Sequence, residues 1–244
     1  MAELSLIFYV LLFVVAFLYA AVGHGGASGY LALMALFNVP TVLLRPSALI
    51  LNIFVSLMAF YQYFRKGKFN WKLFLMLVVV SMPAAFLGGM VVLDPTIYKR
   101  ILGVILILPI IRFAGFWPQE EGKKREIKLW LSLLIGAVIG FLSGLIGIGG
   151  GIILTPVLLL LAWADMKEAA GISALFITVN SVAGLLGNVM MGMELGQDIV
   201  WLVAVALGGG TLGSYFGANY FSGTFLKRML ALVLVIACFK LLFA

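Results

Sequence analysis

Charge, cysteine and histidine are all scarce in this chain of 244 residues. Asp, Glu, Lys and Arg together make up 10% of it, and there is one cysteine and one histidine. A lone thiol, Cys238, excludes a disulfide framework, CxxC redox chemistry and a thiolate metal site within the chain. So few charges cannot clothe a soluble domain of this length. The start, Met1-Ala2-Glu3-Leu4, lacks the basic segment of a cleaved signal, so its apolar stretch reads as a retained span. No HExxH, GxSxG or paired carboxylate lies within an apolar run, and His24 has no catalytic partner in the sequence. An enzyme is not expected, nor is a cofactor or a metal.

What is present is apolar surface, with 64% hydrophobic residues and a mean hydropathy of +1.22. That composition predicts an all-α, polytopic membrane protein. Apolar runs fall at 4–22, 29–39, 47–64, 71–93 and 97–113, and again at 127–146, 151–163, 169–190, 199–221 and 225–243. A polar linker, residues 117–128, separates a first membrane repeat (1–116) from a second (129–244). In each set the second run is too short to span a bilayer as a helix, and it directly follows a glycine cluster.

The net charge of +7 sets topology here; no aromatic platform in a basic groove suggests nucleic acid. If all ten segments cross, Lys and Arg divide 12 to 4 between the two sides; if the short ones turn back, 10 to 6. The positive-inside rule favours ten crossings, with the linker in the cytoplasm and both termini outside.

The halves also resemble each other. Gly23-His24-Gly25-Gly26 answers Gly147-Ile148-Gly149-Gly150, Ser47-Ala48-Leu49 answers Ser173-Ala174-Leu175, and Leu87-Gly88 answers Leu212-Gly213, in order and at a nearly constant offset. With five crossings each, such halves must be inverted relative to one another, as in alternating-access transporters.

Two accounts of the glycine residues stand. Gly136, Gly140 and Gly144, like Gly209, Gly213 and Gly217, recur every fourth residue and predict close helix packing. The clusters Gly23, Gly25, Gly26 and Gly147, Gly149, Gly150, Gly151 predict instead a break. There, backbone N–H groups at the N-terminus of a short helix can receive an anion, although packing explains them too. As a phosphate loop the clusters fail, since no strand precedes and no Lys-Ser/Thr follows.

No carboxylate sits mid-span, which disfavours a cation substrate. His24 either donates to an anion or carries a coupling proton, or is a neutral imidazole held by a carbonyl. Asn52, Thr178 and Asn180 lie in the run after each short segment and are candidate donors to the same cavity.

Helix, GxGG(G) break and short apolar helix, occurring twice, resemble the TauE/SafE family of sulfite exporters. The stronger copy is Gly144-Leu145-Ile146-Gly147-Ile148-Gly149-Gly150-Gly151 with Pro156. The family's glycine motif falls on Gly147, Gly149, Gly150 and Gly151 and on Gly23, Gly25 and Gly26. The first copy departs from it, with Ala27 in place of a third glycine and His24 inside the motif. The resemblance implies a multi-pass permease of the bacterial cytoplasmic membrane, moving sulfite or an organosulfonate. The expected function is export of such an anion by alternating access, through a protein bathed in lipid and open to homo-oligomerisation. The rivals are an uncoupled anion channel and a non-transporting membrane scaffold subunit.

Overall fold

The computed structural model describes residues 5–66, 69–94, 96–98, 100, 101, 104, 125–193, 196, 199–220 and 235. Apart from a few isolated positions, the spans expected at 97–113 and 225–243 lie outside these residues, as do most of the linker and Cys238.

The described residues form eight helices and no strand: α1 (Leu6–Ala21), α2 (Ala27–Leu36), α3 (Thr41–Lys66), α4 (Trp71–Met90), α5 (Leu129–Ile146), α6 (Gly151–Leu160), α7 (Met166–Met190) and α8 (Ile199–Asn219). Helices α3, α4, α5, α7 and α8 are long and apolar enough to cross a membrane; α1, α2 and α6 are shorter and equally apolar. This is a polytopic membrane architecture. Two starts differ from the sequence reading. Helix α7 begins at Met166 because Asp165 caps it, accepting from the Glu168 N–H at 2.9 Å. Helix α3 begins at Thr41 rather than Ser47 and carries Arg45 and Pro46 inside it. A charge followed by a proline ordinarily marks a helix boundary. The helix tolerates them because Pro46 is near its start and Arg45 finds carbonyl partners.

Helices α3 and α7 form the centre and run antiparallel. Ser56 meets Thr178, Asn52 meets Ser181, and Leu49 lies against Gly184. The upper end is taken as the one where α3 begins. Each short helix folds back beside its predecessor. Phe8 and Phe37 stack edge to face at 5.2 Å, so α2 ends at the upper level where α1 began. At the lower end the Arg125 N–H donates to the Ala162 carbonyl, so α6 ends where α5 began. Two hairpins, α1–α2 and α5–α6, thus enter from opposite ends.

The other contacts follow the same exchange. Helix α4 packs on α5 and α7, while α8 packs on α1 and α3. The glycine stripes make both interfaces. A methyl on Gly136, Gly140 or Gly144 would run into the carbonyls of Leu77, Ser81 and Ala85 on α4, and one on Gly209, Gly213 or Gly217 into those of Phe13, Phe17 and Ala21 on α1. Exposed Trp71 and Trp130 ring the lower end and Trp201 marks the upper, where tryptophan suits a bilayer interface.

Candidate functional site

The two hairpin tips overlap at mid-height. Each tip is a glycine turn with left-handed backbone: Gly23 and Gly26 in the first, with φ of 79° and 99°, and Gly147, Gly149 and Gly150 in the second, with φ of 87°, 71° and 78°. Only glycine takes these values without steric cost. Gly26 and Gly150 are the caps from which α2 and α6 start. In a helix the first N–H groups have no partner within it.

Asn52, in the middle of α3, is wholly buried between the tips. Its Oδ1 accepts from the Ala27 N–H at 3.0 Å, the first amide of α2, and its Nδ2 reaches Ser181 Oγ on α7 at 3.4 Å. Gly25 lies against the Asn52 oxygen and Gly149 against its nitrogen, so closely that neither position has room for a Cβ. Ile177 Cγ2 touches the same two glycine positions from α7. One amide therefore bridges the two hairpins, and both short helices direct their N-termini toward it.

Each tip also holds a buried hydroxyl with no hydrogen-bond partner among the described residues. The Tyr30 hydroxyl lies over Gly26, and Ser143 packs beside Gly150 with its Oγ unpaired. Orphaned donors of this kind are costly unless something visits them. Around the first tip, His24 Nε2 lies 3.2 Å from Thr155 Oγ1, which donates to Ser173 Oγ at 2.8 Å; the chain joins the first hairpin to α6 and α7. Tyr19 and Ser28 share a hydrogen bond of 2.7 Å behind α2.

Of the residues singled out from sequence, Gly25, Gly26, Gly149, Gly150 and Asn52 converge, with Gly23, His24, Gly147 and Gly151 in the same two turns. Thr178 lies one turn below Ser181. It donates back to the Ala174 carbonyl at 3.1 Å and therefore accepts from Ser56, 2.7 Å away. Asn180 donates to the Phe176 carbonyl of its own helix at 2.9 Å and leaves Oδ1 buried with no partner among the described residues. Both are intrahelical back-bonds of the kind polar residues make in apolar helices.

Sequence reasoning missed Tyr30, Ser143, Ser181, Tyr63 and Arg45. The first three carry no local signal, because hydroxyl residues are common in apolar helices. Tyr63 and Arg45 hold the tips from the ends. The Tyr63 hydroxyl donates to the last carbonyl of α1, Ala21, at 3.1 Å. Arg45 Nη1 donates to the Leu145 carbonyl of α5 at 2.8 Å, and the Tyr98 hydroxyl to Ile146 at 2.9 Å. Helix C-termini interrupted inside the protein need such donors. Arg45 is 3% exposed, so one of the four basic residues expected on the upper side is instead internal.

Residues 8–241 match the family described as Sulfite exporter TauE/SafE. "Probable membrane transporter protein y4hK" of Sinorhizobium fredii is 35% identical over 234 residues, which is 94% of this chain and 95% of that protein. "Probable membrane transporter protein YdhB" of Bacillus subtilis is 26% identical over 95% of this chain and 98% of its own length. "Sulfite exporter TauE/SafE family protein 5" of Arabidopsis thaliana is 34% identical over 31% of this chain and 18% of its own. No solved structure matches. The chain belongs to the sulfite exporter TauE/SafE family and is a membrane transporter of that type.

Proposed function

We propose that the protein exports a small sulfur-containing anion, sulfite or an organosulfonate, across the cytoplasmic membrane by alternating access. The observation that carries this reading is the meeting of two short-helix N-termini at Asn52 from opposite ends of the molecule. Amide groups and the positive ends of two helix dipoles there face a site without any carboxylate among its described neighbours. The orphaned hydroxyls of Tyr30 and Ser143 would add a donor at each tip. An oxyanion has acceptor oxygens enough for such a set, and binding through dipoles alone is weak enough to permit release. The substrate-binding residues are then Gly23, His24, Gly25, Gly26, Asn52, Gly147, Gly149, Gly150 and Gly151, joined by Ser181; Thr178 and Asn180 shape the wall of α7.

The mirrored helix contacts support two inverted repeats, residues 1–116 and 129–244, joined by the linker. Arg65, Lys72, Arg125, Lys128 and Lys167 gather at the lower end, which the positive-inside rule makes cytoplasmic, with both termini outside. The test is sulfite flux into proteoliposomes holding the purified chain, with and without a pH gradient, against protein-free vesicles. Saturable, protein-dependent flux is the expected outcome. Non-saturating flux would make the protein a channel. Absence of flux for sulfite and for a panel of sulfonates, from folded protein, would overturn the proposal in favour of a scaffold.

A further inference from the structure

A second polar feature lies away from the central tips, at the upper end. A cavity of about 260 Å³ there has Arg45 and Tyr98 at its back and Val42, Val92, Leu93 and Met193 along its walls. Val42 and Val92 are exposed, so the cavity opens to the surface, whereas Arg45 and Tyr98 are buried.

The bonding of Arg45 is uneven. Nη1 donates to the carbonyls of Leu145 (2.8 Å) and Val91 (3.1 Å), and Nη2 donates to Val91 (3.1 Å) and to Met193 Sδ (3.7 Å). None of these partners is a carboxylate. The negative end of the α5 dipole and the carbonyls make the buried charge tolerable, but among the described residues no carboxylate bonds to it. Among the described residues the partner of Nη2 on the cavity side is a thioether, a weak acceptor. An anion oxygen entering beside Met193 would take that donor, and the aliphatic walls would receive a short carbon chain. Bare sulfite would gain the charge and waste the walls.

We propose that this cavity is a subsite for a short organic sulfonate, its head group on Arg45 and its alkyl part on Val42, Val92 and Leu93. The subsite rests on the central reading, as a second stop for the anion proposed to bind at Asn52, on the upper side of that residue. Occupancy would also bear on the second hairpin. The guanidinium that receives the sulfonate is the one that pins the end of α5 through Leu145, and the Gly147 turn packs on its side chain.

The test is calorimetric titration of the full chain in nanodiscs of zwitterionic lipid with ethanesulfonate, together with sulfite flux in proteoliposomes. The wild type should bind ethanesulfonate saturably. Arg45→Gln should weaken binding by about tenfold or more, since a charge-assisted bond is lost; Arg45→Lys should recover part of it. Because Arg45→Gln also loosens two carbonyls, Val92→Trp serves as a second variant that fills the cavity and leaves Arg45 in place. It should weaken ethanesulfonate binding to a similar degree. Ethanesulfonate binding that neither variant changes, or that the wild type lacks while carrying sulfite, would overturn the subsite and leave the central site standing. Failure of sulfite flux with Arg45-dependent ethanesulfonate binding intact would instead overturn the central reading for sulfite alone. Adding phosphatidylglycerol distinguishes a lipid head group. If that lipid binds in an Arg45-dependent manner and ethanesulfonate does not, the proposal is overturned.

Discussion

At the residue scale, Gly149 and Asn52 bear the sharpest tests. A side chain at Gly149 meets two obstacles, a φ of 71° and the Asn52 amide. The first costs about 1–2 kcal/mol for an L-residue, and the second requires Asn52 to leave its position between the tips. Gly149→Val should therefore reduce flux at least tenfold while protein still reaches the membrane, as measured by transport normalised to folded protein. Flux at the wild-type level would remove the tips from the site. Asn52→Asp keeps the acceptor for the Ala27 N–H but places a carboxylate where the anion is to bind. Transport should fall to background with Ala27 still capped, whereas Asn52→Leu should also lose about 1–3 kcal/mol of stability through the unpaired amide. His24 is tested by the pH profile of flux. His24→Ala should flatten or shift it if the His24–Thr155–Ser173 chain handles a proton, and an unchanged profile with full flux would make the imidazole structural.

At the scale of helices, the two glycine stripes make equivalent interfaces on different partners, α5 on α4 and α8 on α1. Gly140→Leu and Gly213→Leu should each push a helix pair apart and lower the thermal midpoint in detergent by similar amounts. Overpacking of this kind costs about 1–3 kcal/mol, and more where the obstacle is backbone. A large loss from one and none from the other would contradict the equivalence. These interfaces were legible in the sequence, because a four-residue glycine period on an apolar helix has few other meanings. The glycine breaks were legible for a different reason, the cost of near-consecutive glycines to a helix. Arg45 was not. A charge beside a proline ordinarily marks a span end, and only the three-dimensional approach of Val91 and Leu145, 46 and 100 residues away, makes its burial possible. The orphaned hydroxyls of Tyr30 and Ser143 were equally hidden, since their meaning depends on which glycine turn they meet. Nor does sequence show that Asn180 donates its Nδ2 to the Phe176 carbonyl of its own helix.

At the scale of the whole molecule, the centre is closed from both ends by different devices. Asn52, Ser181 and His24 are buried, with Tyr63 on Ala21 below them and Arg45 on Leu145 above. Under the proposed alternating access this is the form of an occluded state, from which either end would open in turn. A closed centre with two separable fastenings makes alternating access testable without a substrate. Ser181→Cys, in a background with Cys238→Ser, puts one thiol beside the Asn52 bridge. With both fastenings intact it should react slowly with a membrane-impermeant maleimide from either side. Adding Tyr63→Phe removes the bond to Ala21 and should speed labelling from the lower side alone; adding Arg45→Gln should speed it from the upper side alone. The bias needs to be only a few kcal/mol to change the open population by orders of magnitude. Faster labelling from both sides in either variant would mean that the ends open together, and the protein would then conduct as a channel.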